Sequence, residues 1–156
     1  MEMEKVVEDS KPARVQINAD DLIQALETNN AETPFILDLE TGKILFYYDG
    51  YLGEEEVDED FDIDEFLSQD RYQTIMPLPS SDSYHIMEDF VESLPDGREK
   101  DRLYDAITGS KPFRKFKDAV DRLGDTRDEW FKFRDEAWKG LAAEWLRRES
   151  IDADLV

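Results

Sequence analysis

An α+β fold follows from three features of this 156-residue chain. Apolar residues alternate with a period near two in the first half, the period lengthens to about 3.6 residues from Ser80 onward, and Pro and Gly punctuate the segments. Together these predict a small antiparallel sheet with one helix, followed by a C-terminal helical block of about four helices. The length favours a single domain over 1–156, with a flexible arm at 1–12, an α+β part at 13–79 and a helical part at 80–149. At 40% hydrophobic, with nine Phe, six Tyr and three Trp, the chain is too apolar to be disordered despite a net charge of −21.

The elements follow in order. Val15 and Ile17 alternate as a short strand, and Asn18 is placed to cap a helix over Ala19–Glu27 carrying Leu22, Ile23 and Leu26. The runs Pro34–Leu39 and Ile44–Tyr48 flank Glu40-Thr41-Gly42-Lys43 and predict a hairpin. Arg71–Met76 reads as a further strand, ended by Pro77 and Pro79. In the second half Tyr84, Ile86, Met87, Phe90, Val91 and Leu94 form one helical face, stopped by Pro95 and Gly97. Leu103, Tyr104 and Ile107 form a second, stopped by Gly109. Pro112 opens a third helix carrying Phe113, Phe116, Ala119, Val120 and Leu123, and the last and longest runs from near Arg127 to Arg148.

Charge is segregated along the chain. Between Asp49 and Asp70 there are eleven acids, among them Glu54, Glu55, Glu56, Asp58, Glu59, Asp60, Asp62, Asp64 and Glu65, and no Lys or Arg. A like-charged run repels itself, so a solvated, mobile segment available to partners is expected. Residues 98–148 instead hold fourteen bases against eleven acids. Asp118–Arg122, Asp128–Lys132, Asp135–Lys139 and Glu144–Arg148 are acid-first i,i+4 pairs that would stabilise helices.

Composition also excludes some chemistry. With no cysteine, disulfides, thiolate metal sites and Cys nucleophiles are ruled out. The first residues lack a signal-peptide pattern and no apolar run approaches the ~18 residues of a spanning helix, so a cytoplasmic protein without membrane contact is expected. A pI near 4.2 disfavours nucleic acid through the overall field. Asp58, Asp60, Asp62 and Asp64 alternate like the start of a calcium loop, but neither register supplies the required Gly and terminal Glu. His85, the one histidine, has no partner motif around it. No catalytic residue, metal or cofactor is expected.

Two clusters remain as candidate binding residues. Lys111, Arg114, Lys115 and Lys117 interleave with Phe113 and Phe116, a composition suited to single-stranded nucleic acid. On a helical wheel, however, both Phe side chains fall with Val120 and Leu123 on an apolar face and the bases lie outside it. On the terminal helix, Arg134 falls inside a broad apolar arc, one turn from both Trp130 and Trp138. A guanidinium there needs a carboxylate, a carbonyl, an aromatic face or a bound anion, because an unpaired buried charge costs several kcal/mol. The breadth of the arc implies cover on two sides, and a homodimer contact would provide it.

The run Ala106-Ile-Thr-Gly-Ser-Lys-Pro-Phe-Arg-Lys-Phe-Lys-Asp-Ala119 is followed by Arg127–Glu136 and then by Ala142-Ala-Glu-Trp-Leu146. This pattern resembles the bacterial uncharacterised protein family 0158, mainly over residues 106–146. The shared positions are Gly109, Phe113, Phe116, Lys117, Asp118, Trp130, Phe131, Phe133, Arg134, Ala142, Glu144, Trp145 and Leu146. The resemblance implies a small bacterial protein with an aromatic helical block and carries no assigned activity. The function expected is that of a non-enzymatic interaction or regulatory protein whose acidic surface segment meets a basic protein partner. The alternatives are a divalent-metal-assisted hydrolase with Asp and Glu ligands and, behind it, nucleic-acid binding through residues 111–117.

Overall fold

The computed structural model describes residues 14–28 and 35–156, so the arm expected at 1–12 lies outside the described residues. Two compact units emerge: the described residues up to Met76 together with Ala143–Val156, and Pro77–Ala142.

In the first unit, β1 (Val15–Ile17) leads through Asn18 into α1 (Ala19–Glu27). The Asn18 side chain accepts from the Asp21 amide at 3.0 Å, which satisfies one of the free donors at the helix start. Asp20 and Asp21 lie in the first turn, where the helix dipole favours negative charge. The expected hairpin is present as β2 (Phe35–Asp38) and β3 (Ile44–Tyr48), and β6 (Tyr72–Ile75) pairs antiparallel with β2's other edge. Between β3 and β6 the acidic run forms β4 (Tyr51–Leu52), β5 (Glu55–Glu56) and a short helix α2 (Ile63–Leu67). The five strands form one antiparallel sheet in the order β5-β4-β3-β2-β6.

A second, two-stranded sheet was not legible in the alternation. β7 (Ala153–Leu155) runs parallel to β1, Val15 facing Ala153 and Ile17 facing Leu155. Arg14 fastens this pair: its Nε donates to Asp154 at 2.8 Å, its Nη2 to the Ala153 carbonyl at 2.9 Å, and Nη1 pairs with Asp152. β1 also lies close against the β2–β3 turn. Gly42 has φ +79°, and a Cβ built on it would sit 2.1 Å from the Gln16 carbonyl oxygen, so both backbone conformation and space require glycine.

The second unit is helical: α3 (Ser80–Ser93), α4 (Arg98–Thr108), α5 (Pro112–Val120) and most of α6 (Asp125–Arg148). Phe116 meets Trp130 edge-on at 4.7 Å, while Phe90 lies 5.3 Å from Trp130 and 5.4 Å from Phe133. The Tyr84 hydroxyl donates to the Ile107 carbonyl at 2.8 Å and ties α3 to α4. Two aromatics expected on buried faces are exposed, Phe113 at 44% and Tyr104 at 58%. Phe113 stands in the first turn of α5, about 60° around the helix from Phe116, and its one ring–ring contact among the described residues is with the edge of Tyr84, at 6.5 Å. In α4 the buried edge is Leu103, Ala106 and Ile107, which turns Tyr104 outward. None of the four expected i,i+4 pairs closes, and Arg127 reaches Asp121 at 3.3 Å instead. Exposed pairs gain too little to hold two long side chains in one geometry.

Candidate functional site

Tight turns and aromatic packing order the acidic segment, which corrects the expectation of a mobile one. Asp49 and Gly50 have φ of +51° and +82°, the type I′ geometry that matches strand twist and sets Tyr48 opposite Tyr51. A second tight turn at Gly53-Glu54 sets Glu56 opposite Tyr51. Asp62 then caps α2, accepting from the amides of Asp64 at 3.0 Å and Glu65 at 3.4 Å. Phe61 and Phe66 anchor the segment in a column of rings: Tyr47 to Phe61 is 5.6 Å, Phe61 to Phe66 5.6 Å, and Phe66 to Tyr72 4.1 Å. Strand alternation and register place Tyr47 and Tyr72 on the same side of the sheet, so packing the half-buried Phe61 and Phe66 rings against them fixes the segment there. Self-repulsion is tolerated because the carboxylates are solvent-exposed, Asp62 also being stabilised by the amides it caps. All eleven acids are exposed, and none is in an ion pair among the described residues.

A strongly perturbed acid–base pair lies at the neighbouring hairpin. Asp38, 6% exposed at the end of β2, accepts from Arg71 Nε at 2.9 Å and Nη2 at 2.8 Å. It also accepts from the amides of Glu40 at 2.9 Å and Thr41 at 3.4 Å. The Arg71 hydrogen bonds, opposed by burial and helped by these amides, lower its pKa from 3.8 to about 2. The same contact raises Arg71 above its ordinary range, and Arg71 Nη1 pairs with Glu40 at 2.8 Å. Sequence reasoning missed this cluster. The available signals were a lone Asp ending an apolar strand before Glu-Thr-Gly, an Asx-turn pattern, and, for the next hairpin, the dipeptide Asp49-Gly50.

A cleft of about 260 Å³ adjoins Asp38 and is lined by Ile17, Leu37, Gln73, Glu149 and Asp152 among others. Its charged and amide side chains are held by internal contacts. Asp38 holds Arg71, Gln73 Nε2 donates to Glu149 at 3.4 Å, and Asp152 holds Arg14. This region reads as structural. A more open hollow of about 360 Å³ lies within the acidic segment, with Glu56, Asp58 and Asp60 around Val57 and Phe61. It offers carboxylates over an apolar floor. Among the described residues no three His, Asp or Glu side chains gather as a metal ligand set.

The other expected binding residues belong to the second unit. Lys111, in the left-handed region at φ 52°, precedes α5, and Arg114, Lys115 and Lys117 are exposed along it. Phe116, between them in sequence, is buried, so the bases share the helix's outer side with Phe113 alone among the aromatics. Trp130 and Trp138 are 8% and 3% exposed. The Arg134 side chain is 33% exposed, with Nη1 3.7 Å from the Asp135 carboxylate. Among the described residues no helix is long and apolar enough to cross a membrane.

The family model for an uncharacterised protein family, UPF0158, matches residues 12–155. The chain belongs to UPF0158. UPF0158 protein PA5073 of Pseudomonas aeruginosa is 27% identical over 135 residues, covering 86% of this chain and 84% of the relative. The match takes in the acidic segment and the sheet as well as the helical block that carries the legible motif. No solved structure matches. UPF0158 membership names neither a reaction nor a partner, so the functional reading rests on the geometry above.

Proposed function

We propose that this protein is a non-enzymatic binding module whose acidic segment, Glu54–Glu65, engages a basic surface of a partner protein. The observation that carries this reading is the union of order and unpaired charge. Nine exposed carboxylates, none of them in an ion pair among the described residues, stand on a segment held by Phe61 and Phe66. Fixed charges of one sign focus the local field and attract an oppositely charged surface without the entropy cost of ordering a tail. The hollow at Glu56, Asp58 and Asp60 gives a lysine or arginine stem an apolar floor and its head a carboxylate. The hydrolase alternative gains no ligand set from the described residues, and the basic side of α5 is the weaker electrostatic feature on a chain of net charge −21.

The test is binding of a polybasic peptide to the intact protein at rising ionic strength. Affinity should fall steeply between low salt and physiological salt, where exposed charges are screened beyond about 8 Å. Changing Glu54, Glu55, Glu56, Asp58, Glu59, Asp60, Asp62, Asp64 and Glu65 to Gln or Asn should abolish it. Binding that survives those substitutions, or ignores salt, overturns the proposal.

A further inference from the structure

The five-stranded sheet leaves one aromatic area bare. Strand alternation puts Phe46 and Tyr48 on one side, and register adds Phe35 beside Phe46, Tyr51 opposite Tyr48, and Glu56 opposite Tyr51. Phe35 and Phe46 lie 4.8 Å apart, and Phe46 and Tyr48 are near-parallel at 6.0 Å. Phe46 is 37% exposed, Tyr51 48% and Tyr48 60%. Phe61 and Phe66 cover the opposite side of this sheet, so these rings are not the underside of the acidic segment. A contiguous exposed aromatic strip is the surface expected of a contact site. It is also continuous with charge, because Glu56 both stands opposite Tyr51 and rims the hollow formed with Asp58 and Asp60.

We infer that this strip docks an extended, arginine-bearing segment of a partner protein, with guanidinium groups stacked on Tyr48 and Tyr51 and paired with Glu56, Asp58 and Asp60. This rests on the acidic-segment reading and adds the anchor to it. Charge complementarity selects the occupant. An acidic segment, including the same face of a second copy, is repelled, and an uncharged one would strip water from carboxylates without pairing them. Arginine is favoured over lysine because its planar, weakly hydrated head stacks on a ring while still donating to a carboxylate. Two interstrand spacings separate β3 from β5, roughly 10 Å. Five or six extended residues, covering about 17–20 Å, therefore reach from Tyr48 across Tyr51 to Glu56 at the sheet edge, where the hollow begins.

Fluorescence anisotropy on the intact protein distinguishes the outcomes. Two labelled peptides of about eight residues are compared, one alternating Arg and Ser, the other Lys and Ser. The Arg peptide should bind several-fold tighter. The variant Tyr48→Ala/Tyr51→Ala, folded by circular dichroism, should lose about tenfold for the Arg peptide and level the two peptides. Its salt dependence should stay that of the unsubstituted protein, because no charge is removed. Equal affinity for both peptides, unmoved by the Tyr substitutions, overturns the aromatic anchor and leaves the acidic-segment reading standing. Failure of both peptides to bind at low salt overturns both readings. A dimeric mass in light scattering that becomes monomeric in the Tyr variant also overturns the inference, because the strip is then a self-contact.

Discussion

Replacing Asp38 with Asn removes a charge from a site built to hold one. The carboxylate receives two hydrogen bonds from Arg71 and two from backbone amides, whereas an amide offers one acceptor oxygen and turns an NH₂ toward guanidinium donors. Its depression from 3.8 to about 2 corresponds, at ~1.4 kcal/mol per pKa unit, to about 2 kcal/mol of stability. The Arg71 side chain is 39% exposed, and screening there reduces the expected contribution to ~1–2 kcal/mol. The folded-state pKa lies below the unfolded one, so the carboxylate's contribution is complete above about pH 5, begins to fall as pH nears 3.8, and is lost as pH falls through about 2. Urea denaturation of both proteins from pH 7 to pH 2.5 provides the assay. The stability difference between them isolates Asp38 from the other carboxylates, whose mutual repulsion also relaxes in acid. It should hold steady from pH 7 to about 5 and then shrink. A difference that stays constant through pH 2.5, or is absent at pH 7, refutes the assignment.

Three further substitutions test the scaffold. Gly42→Ala should cost about 3 kcal/mol or more, because left-handed strain of ~1–2 kcal/mol is joined by a backbone clash with Gln16. Gly50→Ala, at φ +82° with nothing within 4 Å, should cost only the strain, and equal losses in chemical denaturation would show that β1 does not crowd the turn. Phe66→Ala removes the ring stacked 4.1 Å from Tyr72 and should cost ~2 kcal/mol. It should also raise amide exchange across residues 54–70, and unchanged exchange there would mean that the ring column does not order the acidic run.

Local signals carried much of the fold. Asn18 before Ala19, Pro112 at the start of α5 and the hydrophobic period beyond Ser80 set helix positions within a few residues, because caps and amphipathic faces act over one or two turns. The hairpin was legible around Gly42, although the crossing of Gln16 was not. The candidate site was half legible. Its acids were plain in the composition, but their order was hidden because Phe61 and Phe66 are isolated aromatics in a charged run, and nothing local says which ring each will meet.

The sequence by itself determined where the helices other than α2 begin and end to within a few residues, that one hairpin forms, and that negative charge gathers between Asp49 and Asp70. Tertiary structure alone decided the rest. It paired β1 with β7 across 138 positions at Val15 and Ala153, joined Arg71 to Asp38 across 33, and laid Phe66 on Tyr72. It also left Tyr48 and Tyr51 bare while covering the other side of the same sheet. The physical reason is range. Propensity, capping and periodicity are fixed by neighbours in the chain. The choice of which strand, ring or guanidinium completes a contact depends on groups brought together only by folding.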